Sequence, residues 1–524
     1  MALSASQSND QSLTDATDKL CGWSRLSILL VAIGALIFLR PMLLDPDYYW
    51  HLETGRLIVQ SRALPDTDPF SFIYAGQHWV LHEWLFQLIL YGAYAGFGDI
   101  GVRLFCAILG AGTFGIVYGT CRKLSGRGGI SLGLILLALF LLFPFLEPRP
   151  QIFTLLFFVF FLRALLLAKY CNEMRLVKWL PVMMVAWVNL HGGYAVGLAV
   201  VFLFVAIEWF RKLAGSGVAM SRTDLRQMSI VAALCLLACF LNPDGPAHLL
   251  YPFEIVSLEA TKSLQEWHPV TLETLYGKLY FFYVGLFTLS LIYRKTRPDL
   301  TELGLAGIMI ALGFSSFRHV PFAILTMIML ASRAIGVGPL IQIPAAAAEW
   351  RQRFRSKGSR GKPIGGMEAM INFGACLLLI VGVAAYYPTV DAKHSAMLRA
   401  FLPVDTASFM QKHGIAGRMF NSLHFGGYLI HRFRGWQQVF IDGRTDLYGD
   451  VLFKEHLDIE LGREGWDALL DKYDINIVIC RPEKPLRGLL LARGDFALVY
   501  EDEAAIVLVK RDAQFQDVIR QFGR

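Results

Sequence analysis

About eleven apolar runs, each long enough or nearly long enough to cross a bilayer, decide what this chain can fold into. They lie near residues 24–44, 100–120, 129–146, 151–169, 177–190, 193–210, 227–242, 277–293, 302–316, 318–334 and 367–387. A helix needs about 20 apolar residues to span the hydrocarbon core. Lipid offers no partner to open backbone, so such runs become helices. The expected fold is a polytopic α-helical membrane protein with about eleven transmembrane helices, external juxtamembrane helices and a soluble C-terminal part. Composition agrees: 55% of residues are hydrophobic and 17% charged, against roughly 45–50% and about 25% in soluble domains. The first run is too long for a signal-peptide core and lacks a small-residue cleavage pattern.

Charge sets the orientation, and the segment 82–97 decides it. If it spanned, Arg122, Lys123 and Arg127 would face outward, against the preference of Lys and Arg for cytoplasmic loops. Its sequence, HEWLFQLILYGAYAGFG, mixes aromatic residues with polar ends, as an interfacial helix does. Laid along the surface, it puts the basic loops near 122–127, 169–178, 211–226, 294–297 and 351–362 together on the inside. Residues 1–23, polar and rich in Ser and Asp, then read as a disordered cytoplasmic tail. Residues 24–387 form the transmembrane domain, with a first external loop at 45–99, and 388–524 lie outside as an α/β domain. The net charge of +7 is a record of topology, not of nucleic-acid binding. In the tail, period-two runs at Phe496–Tyr500 and Ala505–Lys510 around Glu501-Asp502-Glu503 predict a β-hairpin. Val439–Asp442 and Ile475–Cys480 read as further strands, the latter after a helix near 464–473. Seven of the eight cysteines lie in or beside apolar segments, with no metal or disulfide spacing.

On this topology every unusual polar cluster falls on the outer side. The most pointed is Asp45-Pro46-Asp47-Tyr48-Tyr49-Trp50-His51, where the chain leaves its first span. Carboxylates there are easily solvated helix-end residues; a carboxylate can also take a proton from an acceptor hydroxyl or, paired, hold a divalent cation against a phosphate. His82 and Glu83 open the surface helix, where an acidic residue suits the dipole. Glu147 and Arg149 flank Pro148 between two spans; Arg149 offers phosphate a rigid fork of donors or an internal salt bridge. His191 precedes two glycines at an outer turn. Asn242-Pro243-Asp244-Gly245 marks a turn, and Glu266-Trp267-His268-Pro269 has the aromatic and polar mix that stacks on sugars. Arg318 and His319 begin a helix from outside, as interfacial anchors or as phosphate ligands. In the tail, Asn421–Tyr428 and Phe440–Tyr448 are rich in glycine and aromatics, suited to face the cavity or to make turns.

This layout resembles the GT-C superfamily of polyprenyl-phosphate-dependent glycosyltransferases, which includes protein O-mannosyltransferases, lipid A aminoarabinose transferases and oligosaccharyltransferase catalytic subunits. Asp45–His51 looks like the acidic motif that opens the first external loop in that family, and the segment from His82 to Lys123 like the surface helix and second span of the aminoarabinose transferases. The resemblance implies an external transfer of a sugar from a polyprenyl-phosphate donor to a lipid, glycan or protein acceptor, in a bacterial inner membrane with a periplasmic C-terminal domain. Either Asp47 or Asp45 would be the catalytic carboxylate. His51, His82, Glu83, Glu147, Arg149, His191, His268, Arg318 and His319 are the candidates for substrate binding. Magnesium or manganese, if used, would fall to Asp45, Asp47 and Glu147, but Glu-Pro-Arg replaces the Asp-x-Asp of oligosaccharyltransferases, which leaves metal dependence open. Residues 421–428 lack the Trp and Asp of the Trp-Trp-Asp-Tyr-Gly motif, which argues against peptide N-glycosylation.

A transporter or flippase of envelope precursors is the main alternative. Transporters place ionisable groups and broken helices at the bilayer midplane, whereas here polar residues gather at one face. A non-catalytic assembly protein predicts that the external loops tolerate substitution while the tail does not. An envelope-glycan polymerase or ligase shares the topology without the first-loop carboxylates.

Overall fold

The computed structural model describes residues 26–40, 45–126, 128–216, 219–337 and 365–524. The N-terminal tail 1–23 and the basic segment 351–362 lie outside the described residues. The chain is mostly helical, an integral membrane protein with one small sheet. Helices α1 (Leu26–Phe38), α2 (Pro46–Ser61), α3 (Trp84–Ser125), α4 (Gly128–Leu142) and α5 (Gln151–Cys171) are followed by the short α6 (Leu180–Val188) and by α7 (Tyr194–Leu213) and α8 (Arg222–Ala238). Two short helices, α9 (Tyr251–Ser257) and α10 (Glu259–Ser263), lead to α11 (Leu275–Ile292), α12 (Leu300–Ser315), α13 (Val320–Val337) and α14 (Gly365–Phe401). Among the described residues, six helices are long and apolar enough to cross a membrane, and three further apolar ones are shorter.

Several boundaries differ from the sequence reading. The run 177–190 yields only the nine-residue α6 behind a 3-10 turn at Met174–Trp179. Helix α14 continues through Pro388 to Phe401, so residue 388 is not a helix end. Helix α3 breaks at Phe97 and Gly98, where Gly98 takes φ +59°. That break falls at the end of the segment read as interfacial.

The basic loops carry more than topology. At the end of the bundle away from Asp45 and Arg149, Lys169 Nζ donates to Glu208 (2.5 Å) and to Asp299 (3.0 Å), and Arg294 grips Glu302 through two nitrogens at 2.8 and 2.9 Å. The carboxylates of Glu208 and Glu302 are fully buried, and each is met by at least two cations. A buried charge without such a partner is costly.

The C-terminal part forms a four-stranded sheet in the order β1-β2-β4-β3, from β1 (Met419–Asn421), β2 (Ile477–Cys480), β3 (Phe496–Glu501) and β4 (Ile506–Lys510). The hairpin β3–β4 is antiparallel as expected, β4 pairs antiparallel with β2, and β1 runs parallel to β2. Every residue of β1 and β2 is buried; β2 is apolar throughout, and the one polar residue, Asn421 in β1, has its amide bonded to the Phe440 N–H and the Ile441 carbonyl. Val439–Asp442 is not one of these strands. Its Val439 instead exchanges backbone hydrogen bonds with Phe70 (3.1 Å) and Phe72 (3.2 Å) of the first loop.

Two further contacts weld the tail to the first loop. Gly427, in the helix Leu423–Phe433, lies so close to the Pro46 carbonyl at the start of α2 that a Cβ has no room. Beside it the Tyr49 and Tyr428 rings meet edge-on at 5.1 Å. The glycines at 426 and 427 therefore serve helix packing, not a turn. The second contact is Arg444, fully buried, which holds Asp442 through Nε (2.8 Å) and Nη2 (2.6 Å) and reaches Asp68 with Nη1 (2.8 Å). Its guanidinium lies over the Trp79 ring at 4.6 Å.

Candidate active site

A cavity of about 600 Å³ opens where the first loop, the α4–α5 turn, the α10–α11 connection and the tail converge. Asp45 caps α2: its side chain accepts from the Asp47 backbone N–H at 3.0 Å, with Pro46 in the first turn, where its missing N–H costs nothing. The cap fixes the first turn, and with it the direction of Asp47. Arg149 arrives from the opposite wall in the Glu-Pro-Arg-Pro turn. Its Nη2 donates to one Asp45 oxygen at 2.5 Å and its Nε to the other. The same Nη2 stands 3.2 Å from Asp47 Oδ2, and Nη1 is 3.4 Å from Glu266 Oε2. Glu266 in turn accepts from Arg318 Nη1 at 2.9 Å.

Asp47 has Trp50 Nε1–H donating to its Oδ1 at 3.1 Å and leaves 23% of its side chain open to the cavity, enough for a substrate to reach it. Burial raises its carboxyl to about 7, with the Trp50 bond opposing and Glu266, Asp442 and Glu83 adding to the rise. Burial pulls the Arg149 guanidinium below its usual range, against the pull of Glu266. Glu147 lines the same cavity but pairs with Arg40, whose Nη1 also donates to the Phe143 carbonyl at 2.7 Å. Burial raises the Glu147 carboxyl, and Arg40 resists.

Behind this wall lies a second cluster. Three imidazoles converge on Glu83: His82 Nε2 at 3.5 Å, His51 Nε2 at 3.6 Å and His191 Nε2 at 3.9 Å. Burial alone would raise Glu83, but the facing imidazoles, His82 foremost, bring it down to about 2. Burial lowers His51 to about 4 and His191 to about 3, while Glu83 overcomes the same burial at His82 and raises it. The cluster connects to the cavity through Arg318, whose Nη2 is 3.3 Å from His191 Nε2, and to the tail through Tyr251, which contacts His82 (3.3 Å) and donates to Asp446 (2.8 Å).

Of the residues singled out in the sequence, Asp45, Asp47, Glu147 and Arg149 line the cavity. Arg318 reaches it through Glu266, and His51, His82, Glu83 and His191 form the layer behind. Two stand apart. His268 is exposed, its backbone carbonyl accepting from Phe317. His319 packs its ring against Trp267 and Phe322. The Trp267 face suggested for sugar stacking is covered by Arg318 at 5.0 Å. Sequence reasoning missed Arg40 as a partner for Glu147, although a cation at the end of the first apolar run read as external, against the inside preference, was its signal. His424, Gly443 and Thr445, from the two tail stretches read as suited to face the cavity or to make turns, line its tail side.

The donor set does not fit a divalent cation. Asp45 is engaged by a guanidinium through both oxygens, Glu147 is turned to Arg40, and among the described residues no group of three or more His, Cys, Asp or Glu has a geometry that could hold a metal ion.

Solved structures share the fold of this chain. The apo oligosaccharyltransferase of Archaeoglobus fulgidus matches with a TM-score of 0.56 at 14% identity, covering 93% of this chain and 74% of that one. The oligosaccharyltransferase AglB from the same organism, in complex with an inhibitory peptide and a dolichol-phosphate, matches with a TM-score of 0.56 at 13% identity, over the same shares of each chain. The Archaeoglobus fulgidus enzyme tethered to an acceptor peptide containing the NVT sequon gives a TM-score of 0.53 at 14% identity, again over 93% and 74%. No family model and no curated protein matches the sequence.

Proposed function

We propose that the protein is a glycosyltransferase that moves one sugar from a polyprenyl-phosphate donor to a lipid, glycan or protein acceptor on the external face of a membrane. The observation that carries this reading is Asp47, a carboxylate raised to about 7 that opens onto a cavity beside Arg149, in a GT-C fold. The acceptor hydroxyl gives its proton to the Asp47 carboxylate while its oxygen forms a bond to the sugar C1. The bond from C1 to the phosphate oxygen breaks, and its electron pair leaves on the phosphate. A general base works best with a pKa near the working pH. Arg149, with Arg318 behind Glu266, supplies positive charge where the leaving phosphate gains negative charge.

The donor class draws support from the dolichol-phosphate held by the AglB structure. The cavity end would face the periplasm of a bacterial inner membrane, with about eleven spans and the basic loops in the cytoplasm. The test compares polyprenyl-phosphate-linked sugars by mass spectrometry in cells carrying wild type or Asp47→Ala at equal membrane abundance. One lipid-linked sugar accumulates in the variant if the reading is right. Unchanged pools with full complementation would falsify it.

A further inference from the structure

We propose that the guanidinium of Arg149 is the resident cation of this site, standing where a divalent metal would otherwise bridge the first-loop carboxylates to the donor phosphate. The proposal rests on the transferase reading for its chemistry but on geometry for its placement.

A divalent cation bound by these carboxylates needs their oxygens at about 2.0–2.6 Å from a shared centre. That centre is taken. Arg149 spans both oxygens of Asp45, lies 3.2 Å from Asp47 and 3.4 Å from Glu266, and so meets three of the four carboxylates that line the cavity, the fourth, Glu147, being paired with Arg40. The arginine is held from both sides. Asp45, whose side chain is only 6% exposed, is fixed as the cap of α2, and prolines at 148 and 150 restrict the turn that carries Arg149. A metal could enter only by expelling the half-buried guanidinium from a two-point ion pair with the buried Asp45 side chain, which leaves a charge unpaired.

The guanidinium also has spare capacity. Its Nε and Nη2 are committed to Asp45, whereas among the described residues Nη1 makes only the 3.4 Å contact to Glu266. Arginine carries five N–H donors in one plane, so the Nη1 edge is the one a phosphate oxygen meets. In the transfer, the C1–O bond breaks with its electron pair on phosphate, the acceptor oxygen bonds to C1 and the acceptor proton goes to Asp47. Phosphate leaves as a stable anion whose second ionisation lies near a pKa of about 6. Such a leaving group needs neutralising charge and hydrogen bonds, which a guanidinium provides, and no Lewis acid.

The test uses the full-length protein in lipid nanodiscs and two probes. Manganese is titrated by electron paramagnetic resonance into wild type, Arg149→Asp and Arg149→Lys. Farnesyl phosphate binding is measured by calorimetry with EDTA and with excess magnesium. The expected result is no manganese site in wild type or Arg149→Lys, and a site in Arg149→Asp that is lost on adding Asp45→Asn. Farnesyl phosphate should bind wild type equally with EDTA or magnesium, and about tenfold or more weaker to Arg149→Ala, as for loss of a charge-assisted pair. The proposal is overturned if wild type binds manganese through Asp45, or if farnesyl phosphate binds only with magnesium. Neither arm requires sugar transfer. Metal-free binding through Arg149 with unchanged sugar pools in Asp47→Ala would sink the transferase reading and leave the cation assignment standing.

Discussion

Gly443 lies against the carboxylate of Asp47: a methyl group built at residue 443 overlaps Asp47 Oδ1. One residue of the tail, nearly 400 positions away in sequence, thus leaves the space in which the first-loop carboxylate sits. The buried Arg444 clamp next to it holds that spacing.

Gly443→Ala should therefore act on Asp47 and not on folding at large. The expected outcome is a drop in transfer of about tenfold or more, as for a reacting group misplaced by a fraction of an ångström to 1 Å. The melting temperature in detergent should change little. An unchanged rate would mean that Asp47 has freedom to move away without consequence.

Asp47→Asn removes the base and should lower the transfer rate by about 10²–10⁴-fold. In wild type the rate should rise with pH through about 7, as Asp47 loses its proton. Stability should move the opposite way. The folded carboxyl holds its proton up to about 7 while the unfolded one releases it near its ordinary value of 3.8. More protons are bound folded than unfolded in that window, so this group's contribution falls as pH rises across it. Denaturation of wild type and Asp47→Asn at several pH values between these limits separates the two trends.

Arg444→Leu strands Asp442 and Asp68, both fully buried. Breaking one side of a buried ion pair costs about 3–5 kcal/mol, and the loop and tail should part first. Limited proteolysis of the 62–83 segment, followed with thermal unfolding, reads this directly; equal protease resistance in variant and wild type counts against the clamp.

Glu83→Gln removes the charge on which His51, His82 and His191 converge. Its carboxyl is lowered from 4.5 to about 2, so its contribution is complete above 4.5 and is lost as pH falls toward 2. At neutral pH the variant should be less stable than wild type, and the His82 imidazole should titrate at lower pH, measurable by NMR with labelled histidine. A His82 titration that does not move would show that Glu83 does not set its charge.

Gly427→Val should push the helix Leu423–Phe433 off the start of α2, because the added carbons meet the Pro46 carbonyl. Overpacking of this kind costs about 1–3 kcal/mol. Transfer should fall with it, since His424 on the same helix lines the cavity. A variant as stable and active as wild type would mean that α2 and the tail helix are free to separate.

The apolar runs determined the class of protein without help, because length and hydropathy are local properties that a bilayer reads directly. The tail hairpin was legible for the same reason: alternation around an acidic turn needs no distant partner. Asp45, Asp47 and Arg149 stood out as charges beside apolar spans. What the sequence left open were the pairings. Whether Arg149 meets a phosphate or a carboxylate, whether Glu147 meets a metal or Arg40, and whether 426–427 make a turn or a helix contact all depend on which distant segments come within a few ångströms. Val439–Asp442 looked like a strand because its residues are extended and apolar, yet its backbone partners are in the first loop, more than 360 residues earlier. A hydrogen bond or ion pair acts only over such short distances, so the tertiary fold alone decided which candidate charges became one site.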